Sequence, residues 1–289
     1  MTSTAPEPRP DRRSAAAPVA LVTGASLGLG LATTRLLVRH GWHVVADARD
    51  GTRLAAALAD LGAAVTTLPG DVADPRHRED LVAAVRDLGR LDLLVANAST
   101  LGPVPLPALA DLSPAAFARV LAVNTVAPLA LAQALLPLLR SSGGSLVTVS
   151  SDAAVEAYPG WGGYGASKAA LDHVAAVLGV ENPTVAVYAV DPGDMATAMH
   201  ARAVPDADPT ELADPADVAG ALHELVRRRP PSGRHRLADV RPGQPTTGPA
   251  HAAATGPAHD AAPEPAHAAA TDPAHAAASE TARPARVRG

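Results

Sequence analysis

Tyr164 and Lys168 stand four residues apart in Tyr164-Gly165-Ala166-Ser167-Lys168. On a helix that spacing puts a phenol and an ammonium on one face, one turn apart. A free phenol ionises near pH ~10 and is a poor base at neutral pH. A neighbouring cation stabilises the phenolate and brings proton transfer into a useful range. Lys168 is the only lysine in the chain, every other long basic residue being Arg. A sequence that uses Arg for its generic surface cations has kept one ammonium for this position.

A second cluster points to a ligand for that chemistry. The apolar run Ala20-Leu21-Val22 leads into Thr23-Gly24-Ala25-Ser26-Leu27-Gly28-Leu29-Gly30, and an amphipathic stretch from Leu31 to His40 follows. Glycines between a strand and a helix let the backbone turn tightly and approach a pyrophosphate, which then faces the helix N-terminus. Gly24 suits the turn, Gly28 the close approach, and Gly30 the packing of helix on strand.

Elements able to position both clusters are legible along the chain. Short apolar runs at Val19 to Thr23, Trp42 to Ala46, Ala64 to Leu68, Leu91 to Ala96, Ser145 to Ser150 and Thr184 to Val190 read as buried parallel strands. Helical stretches separate them. Asp74-Pro75, Ser113-Pro114 and Asp214-Pro215 each place a capping oxygen before a proline, whose missing N–H costs nothing at the first helical position. Alternating strands and helices of this kind give an α/β fold with an open, doubly wound parallel sheet, which binds ligands beyond the carboxyl ends of its strands.

Composition narrows the class. Of 289 residues, 47% are hydrophobic but only 2% aromatic, so the core is aliphatic and its helices lie close to the sheet. The formal net charge of -5, with signs mixed along the chain, offers no basic stripe for nucleic acid or anionic lipid. With no cysteine there is neither a disulfide framework nor thiolate chemistry, and a reducing cytoplasm is the expected location. Residues 1–17 read as a disordered leader and 18–240 as one catalytic domain. Residues 241–289 form a Pro/Ala tail with His251, His259, His267 and His275 each preceded by Pro-Ala. Repeat slippage accounts for these histidines more simply than metal binding does, and no metal is expected. No signal peptide or uninterrupted apolar span is apparent, so a soluble protein is expected.

The TGxxxGxG spacing together with YxxxK resembles the single-domain branch of the short-chain dehydrogenase/reductase family. The resemblance spans about residues 18 to 240 and implies a Rossmann-type oxidoreductase in which Lys168 also binds the nicotinamide ribose. It implies that Ser151, thirteen positions before Tyr164, hydrogen-bonds the substrate oxygen, with Ser150 as the alternative. Asn124, placed in the fourth helix, matches the asparagine that holds a water linking Lys168 to solvent. Asp71-Val72 resembles the pair that meets the adenine. Ala96-Asn97-Ala98-Ser99 stands where relatives read NNAG, retaining Asn97. Pro192, Gly193 and Thr197 match the PGxxxT turn that cradles the nicotinamide amide.

The cofactor follows from the end of the second strand. In the family an acidic residue there bonds the ribose 2′-hydroxyl, whereas Arg at the next position pairs with a 2′-phosphate. Ala48 occupies the acidic slot and Arg49 follows, which favours NADP(H). Asp47, one residue earlier, would favour NAD if the register slipped, and Leu27 replaces a second Arg common in NADP users. Expected binding residues are therefore Thr23, Gly24, Ser26, Leu27, Gly28, Gly30, Arg49, Asp71, Val72, Asn97, Lys168, Pro192, Gly193 and Thr197. Met195, Met199, His200, Tyr158 and Trp161 are candidates to line the substrate pocket. The expected activity is hydride transfer between NADP(H) and a small carbonyl or alcohol, with a non-catalytic dinucleotide sensor on the same fold as the alternative. The resemblance further implies a homodimer or homotetramer, with Pro128 to Leu139 at the interface.

Overall fold

The computed structural model describes residues 17–240. The leader's first sixteen residues and the histidine-bearing tail lie outside the described residues. Seven parallel strands form one sheet: β1 Val19–Val22, β2 His43–Ala48, β3 Val65–Pro69, β4 Leu93–Ala96, β5 Ser145–Val149, β6 Ala186–Asp191 and β7 Gly233–Arg236, in the order β3-β2-β1-β4-β5-β6-β7. The order reverses between β1 and β4, which opens a crevice at their carboxyl ends.

Alternation along β1 explains why its sequence is apolar throughout. Ala20 and Val22 face one core, and Val19 and Leu21 face the other. The first core is closed by α1 Gly28–Arg39, α2 Gly51–Leu58 and α8 Pro215–Arg228, through Leu37, Leu54, Leu222 and Leu225. The second is closed by α3 Pro75–Asp87, α5 Ala127–Ser142 and α6 Gly162–Glu181, through Leu81, Leu131, Leu135 and Leu178. With apolar cover on both faces, a parallel sheet keeps its backbone hydrogen bonds away from water.

The three proline-capped starts are present. Asp74 accepts from Arg76 N–H, Ser113 from Ala116 N–H, and Asp214 from Ala216 N–H, each ahead of a proline at the first helical position. The helical run Pro114–Ser142, comprising α4 Pro114–Leu121, an irregular turn and α5, is long and apolar enough to cross a membrane by length and composition. Leu131, Leu135 and Leu139 of this run are instead fully buried in the second core.

Three expectations need correction. Strand β7 was not anticipated, because Gly233-Arg234-His235-Arg236 is polar and only His235 is buried. Strand β2 runs to Ala48 rather than ending at Ala46, since it pairs with β3 as far as Pro69. Asn124 sits in a π-turn, Ala122–Val126, between α4 and α5 rather than inside a regular helix.

Candidate active site

Gly24 opens the loop after β1 at φ +69, and a Cβ there would lie 2.9 Å from Ala98 Cα. At Gly30 the constraint is space, because a Cβ would come within 2.3 Å of the Gly24 carbonyl oxygen. The loop and the start of α1 thus pack against one another and against the end of β4. Thr23 Oγ1 accepts from Asn97 N–H and Ala98 N–H, both at 3.0 Å, while Asn97 Nδ2 donates to Thr23 O at 2.8 Å. Asn97 therefore braces the loop from the neighbouring strand. No side chain caps α1 at Leu27 and its first turn carries no acid, so its N–H groups remain available to an anion beside Ser26 and Gly28. Leu27 itself is exposed.

Asp47 is turned into the protein. Its Oδ1 accepts from Gly24 N–H at 2.9 Å and its Oδ2 bonds His77 Nε2 at 2.9 Å, with both side chains buried. Burial pushes the Asp47 carboxyl up, and the bonds from His77 and Gly24 oppose that rise. Ala48 ends β2 and Arg49 follows it, exposed. Asp71 accepts from Ala73 N–H at 2.9 Å and forms an ion pair with Arg119. Partial burial raises its carboxyl, but the Ala73 N–H, Arg119 and Arg49 together bring it below the usual range. Val72 is buried against Val123 and Ala127.

At the other end of the crevice α6 carries Tyr164 and Lys168, both buried. The ammonium lies 5.4 Å from the centre of the Tyr164 ring and donates to Val149 O at 2.7 Å. Burial lowers the Lys168 pKa to about 8, with Asp172 opposing. Burial pushes Tyr164 up to about 12, against hydrogen bonding from Ser99 and Ser151. Lys168 was expected to make the phenol more acidic, but desolvation dominates, and the phenol is held protonated.

Ser151 Oγ donates to Asp152 Oδ1 at 2.9 Å and accepts from Ala153 N–H at 3.2 Å. The buried hydroxyl of Ser150 lies by Asp172 instead, short of a full hydrogen bond. At the end of β6, Asp191 Oδ1 accepts from Gly193 N–H at 3.1 Å, just past Pro192. Thr197, which caps α7 Ala198–Ala203, brings its Cγ2 within 3.1 Å of where a Cβ on Gly28 would be. Both motifs therefore meet at the mouth of the crevice.

A family model described as short chain dehydrogenase matches residues 18–208. The chain belongs to the short-chain dehydrogenase family. Among its relatives, the uncharacterized oxidoreductase YciK of Escherichia coli is 34% identical over 209 residues, 69% of this chain and 82% of the relative. The alcohol dehydrogenase of the archaeon Thermococcus sibiricus, solved with 5-hydroxy-NADP, superposes with a TM-score of 0.68 at 27% identity, covering 76% of this chain and 96% of that one. A short chain dehydrogenase of Shigella flexneri solved with NADP gives a TM-score of 0.69 at 30% identity, covering 76% and 95%. The chain is thus a short-chain dehydrogenase-type oxidoreductase, a family that works with a nicotinamide dinucleotide.

Within this short-chain dehydrogenase, Asn124 is spent on protein contacts. Its Nδ2 donates to Thr100 O and Ser167 Oγ, both at 2.9 Å, and its Oδ1 accepts from Thr100 N–H at 2.9 Å and Ser99 Oγ at 3.2 Å. All four positions of the amide are filled, so its side chain has none left for a water beside Lys168. Ser99 was read only as a replaced glycine, yet it connects Asn124 to the surroundings of Tyr164. Of the expected pocket residues, Trp161 stacks edge-on with Tyr164, and Tyr158 donates to Asp152 Oδ2 at 3.0 Å. His200 Nε2 lies 3.4 Å from Asp194. Met195 is partly buried against the first core and forms a backbone bridge with Ala213.

Proposed function

We propose that this chain transfers a hydride between NADP(H) and a small carbonyl or alcohol, with Tyr164 giving or taking the proton. The observation that carries the reading is the buried Tyr164 phenol, one helical turn from the buried Lys168, whose Nζ lies 5.4 Å from the centre of the ring. In the reducing direction Ser151 and Tyr164 bind the carbonyl oxygen, and Tyr164 donates its proton as charge develops there. When bound, the nicotinamide supplies the hydride to carbon. Lys168, already inside the site, holds positive charge next to the resulting phenolate. Ser151 must turn its hydrogen from Asp152 to the substrate, so substrate competes with that carboxylate.

The cradle fits a dinucleotide: Gly24 and Gly30 leave no room for a Cβ, and the uncapped start of α1 faces the loop. NADP(H) is favoured because Asp47 is turned inward on Gly24 and His77, which leaves Ala48 and Arg49 at the strand tip. An Arg there pairs with a 2′-phosphate, and no carboxylate from Asp47 opposes it. The complete set of Ser151, Tyr164 and Lys168 argues against a purely sensing role. A cytoplasmic homodimer or homotetramer is the proposed working form. Its contact would not use the large leucines of Pro128 to Leu139, which face the core, but exposed apolar residues such as Val126, Val177 and Val180.

Fluorescence titration with NADPH and NADH, followed by a carbonyl panel with Tyr164→Phe as control, tests the reading. NADPH is expected to bind more tightly, and the variant to lose about 10²- to 10⁴-fold in kcat while keeping NADPH affinity. Full turnover by the variant would refute the assignment of Tyr164, and preference for NADH would refute the reading of Arg49.

A further inference from the structure

Arg234, in the unanticipated strand β7, makes three contacts with three different segments around the site. Its Nε bonds Asp172 Oδ2 at 3.1 Å, and one terminal nitrogen bonds both Ser151 O at 2.9 Å and Asp191 Oδ2 at 3.1 Å. Asp172 lies four residues after Lys168 on α6, and so on the face that carries Tyr164 and Lys168. Asp191 ends β6 and immediately precedes Pro192-Gly193, whose turn it bonds through its other oxygen. Ser151 ends the segment after β5 and opens a short 3₁₀ turn. One planar cation thus ties the serine loop, the catalytic helix and the turn after β6 to a single point.

The chemistry suits a brace. A guanidinium stays charged at any pH the fold survives and presents donors in a fixed fork, which defines direction as well as distance. Asp172 and Asp191 are both largely buried, with side-chain exposures of 15% and 6%, so each needs a cation to offset its desolvation. The Ser151 carbonyl accepts from Ala154 N–H at 3.1 Å within its own short 3₁₀ turn and from Arg234 at 2.9 Å, so Arg234 ties that turn to a distant strand. Moving that carbonyl swings the Ser151 hydroxyl relative to Tyr164.

We propose that Arg234 is a positioning residue for catalysis, fixing Ser151 against Tyr164 and Lys168 through its bonds to Ser151 O, Asp172 and Asp191. This rests on the reading of Ser151 and Tyr164 given above. Toward the dinucleotide it reaches only the Pro192-Gly193 turn, through Asp191, and makes no bond to the glycine loop or Arg49, so its signature is a loss of turnover far larger than any loss of cofactor affinity.

The test uses the full-length protein, NADPH, and the carbonyl of the panel with the highest Tyr164-dependent rate. Arg234→Met is expected to lower kcat roughly 10- to 100-fold, the scale of a misplaced reacting group, while NADPH affinity by fluorescence stays within about twofold. Arg234→Lys, which keeps the charge but not the fork, is expected to recover part of the loss. Should Arg234→Met fail to fold by circular dichroism, Asp172→Asn decides, since it removes one anchor and should lower kcat in the same sense with NADPH affinity unchanged. A kcat within twofold of the parent in the folded variant, or a fall in NADPH affinity matching the fall in kcat, overturns the proposal. Tyr164→Phe measured alongside separates the two readings: an inactive Tyr164→Phe with a fully active Arg234→Met refutes the brace alone, whereas activity in Tyr164→Phe refutes the underlying assignment.

Discussion

The two ends of the crevice are held by different kinds of buried charge. Beneath the glycine loop, Asp47 spends both oxygens on neutral or weakly basic donors, Gly24 N–H and His77. Beside the catalytic helix, Asp172 and Asp191 share a permanent cation, Arg234, and Lys168 adds a second one turn away. The difference follows from what each end must face. A phosphate-binding loop needs its own carboxylate quenched and turned inward, whereas a site where a carbonyl oxygen gains charge benefits from cations held firmly by buried acids. The first end is closed on itself, and the second is open toward the reacting oxygen.

The sharpest way to break the comparison is at His77. Its loss leaves Asp47 buried with only the Gly24 N–H, and breaking such a pair from one side is strongly destabilising. His77→Ala is expected to lower stability by about 3 kcal/mol in urea unfolding and to weaken NADPH binding, while His77→Gln, which can still donate, recovers most of both. A cost below about 1 kcal/mol would mean that Asp47 simply takes up a proton, in the direction burial already drives it. The first end would then be a neutral contact rather than a charged one.

At the other end the same question is asked with pH. Lys168 titrates near about 8 in the folded protein because it is desolvated, below its ordinary 10.5. Between those values the unfolded chain holds a proton that the folded chain has shed, so this group makes stability rise with pH. Below about pH 8 both states are charged and its unfavourable contribution is constant. Relative to Lys168→Met, the parent protein should therefore gain about 1 kcal/mol between pH 7 and pH 9, read from urea midpoints. A parallel pH dependence for the two proteins would show that the ammonium is better compensated than its burial implies.

How much of this was legible depended on the range of the contact. The strands β1, β4, β5 and β6 are buried on both faces, so a local run of Val, Leu and Ala suffices to mark them. Proline after a capping side chain is equally local, and so are the glycine loop and the Tyr164–Lys168 spacing. The features that were missed join residues far apart in the chain. Asp47 finds His77 thirty positions on, and Arg234 reaches back to Asp172 and Ser151. A lone Asp one residue before Ala48 looked like a rival cofactor ligand because nothing nearby says that it points inward. β7 escaped notice because a polar edge strand has no hydrophobic pattern, and Ser99 because its partner Asn124 lies across a π-turn that no local spacing signals.

The smallest expected effect sharpens the comparison most cleanly, because it separates stability from position. Asp74 and Asp214 cap α3 and α8 in the same way, each accepting from the N–H two residues on and each followed by proline. Replacing either by Ala should cost a similar ~0.5 to 1 kcal/mol in thermal or urea unfolding. Only α3 carries a residue that holds the glycine loop: His77 lies in its first turn, three positions after the cap, where fraying moves it directly. Asp74→Ala is therefore expected to weaken NADPH binding about twofold to threefold, a loss of well under 1 kcal/mol, while Asp214→Ala leaves it unchanged at the same loss of stability. Equal NADPH affinities in the two variants would show that His77 and Asp47 hold their geometry independently of the helix start. In that case the pair is anchored by the sheet and by its own burial, and the glycine loop is insulated from the helix that supplies its histidine.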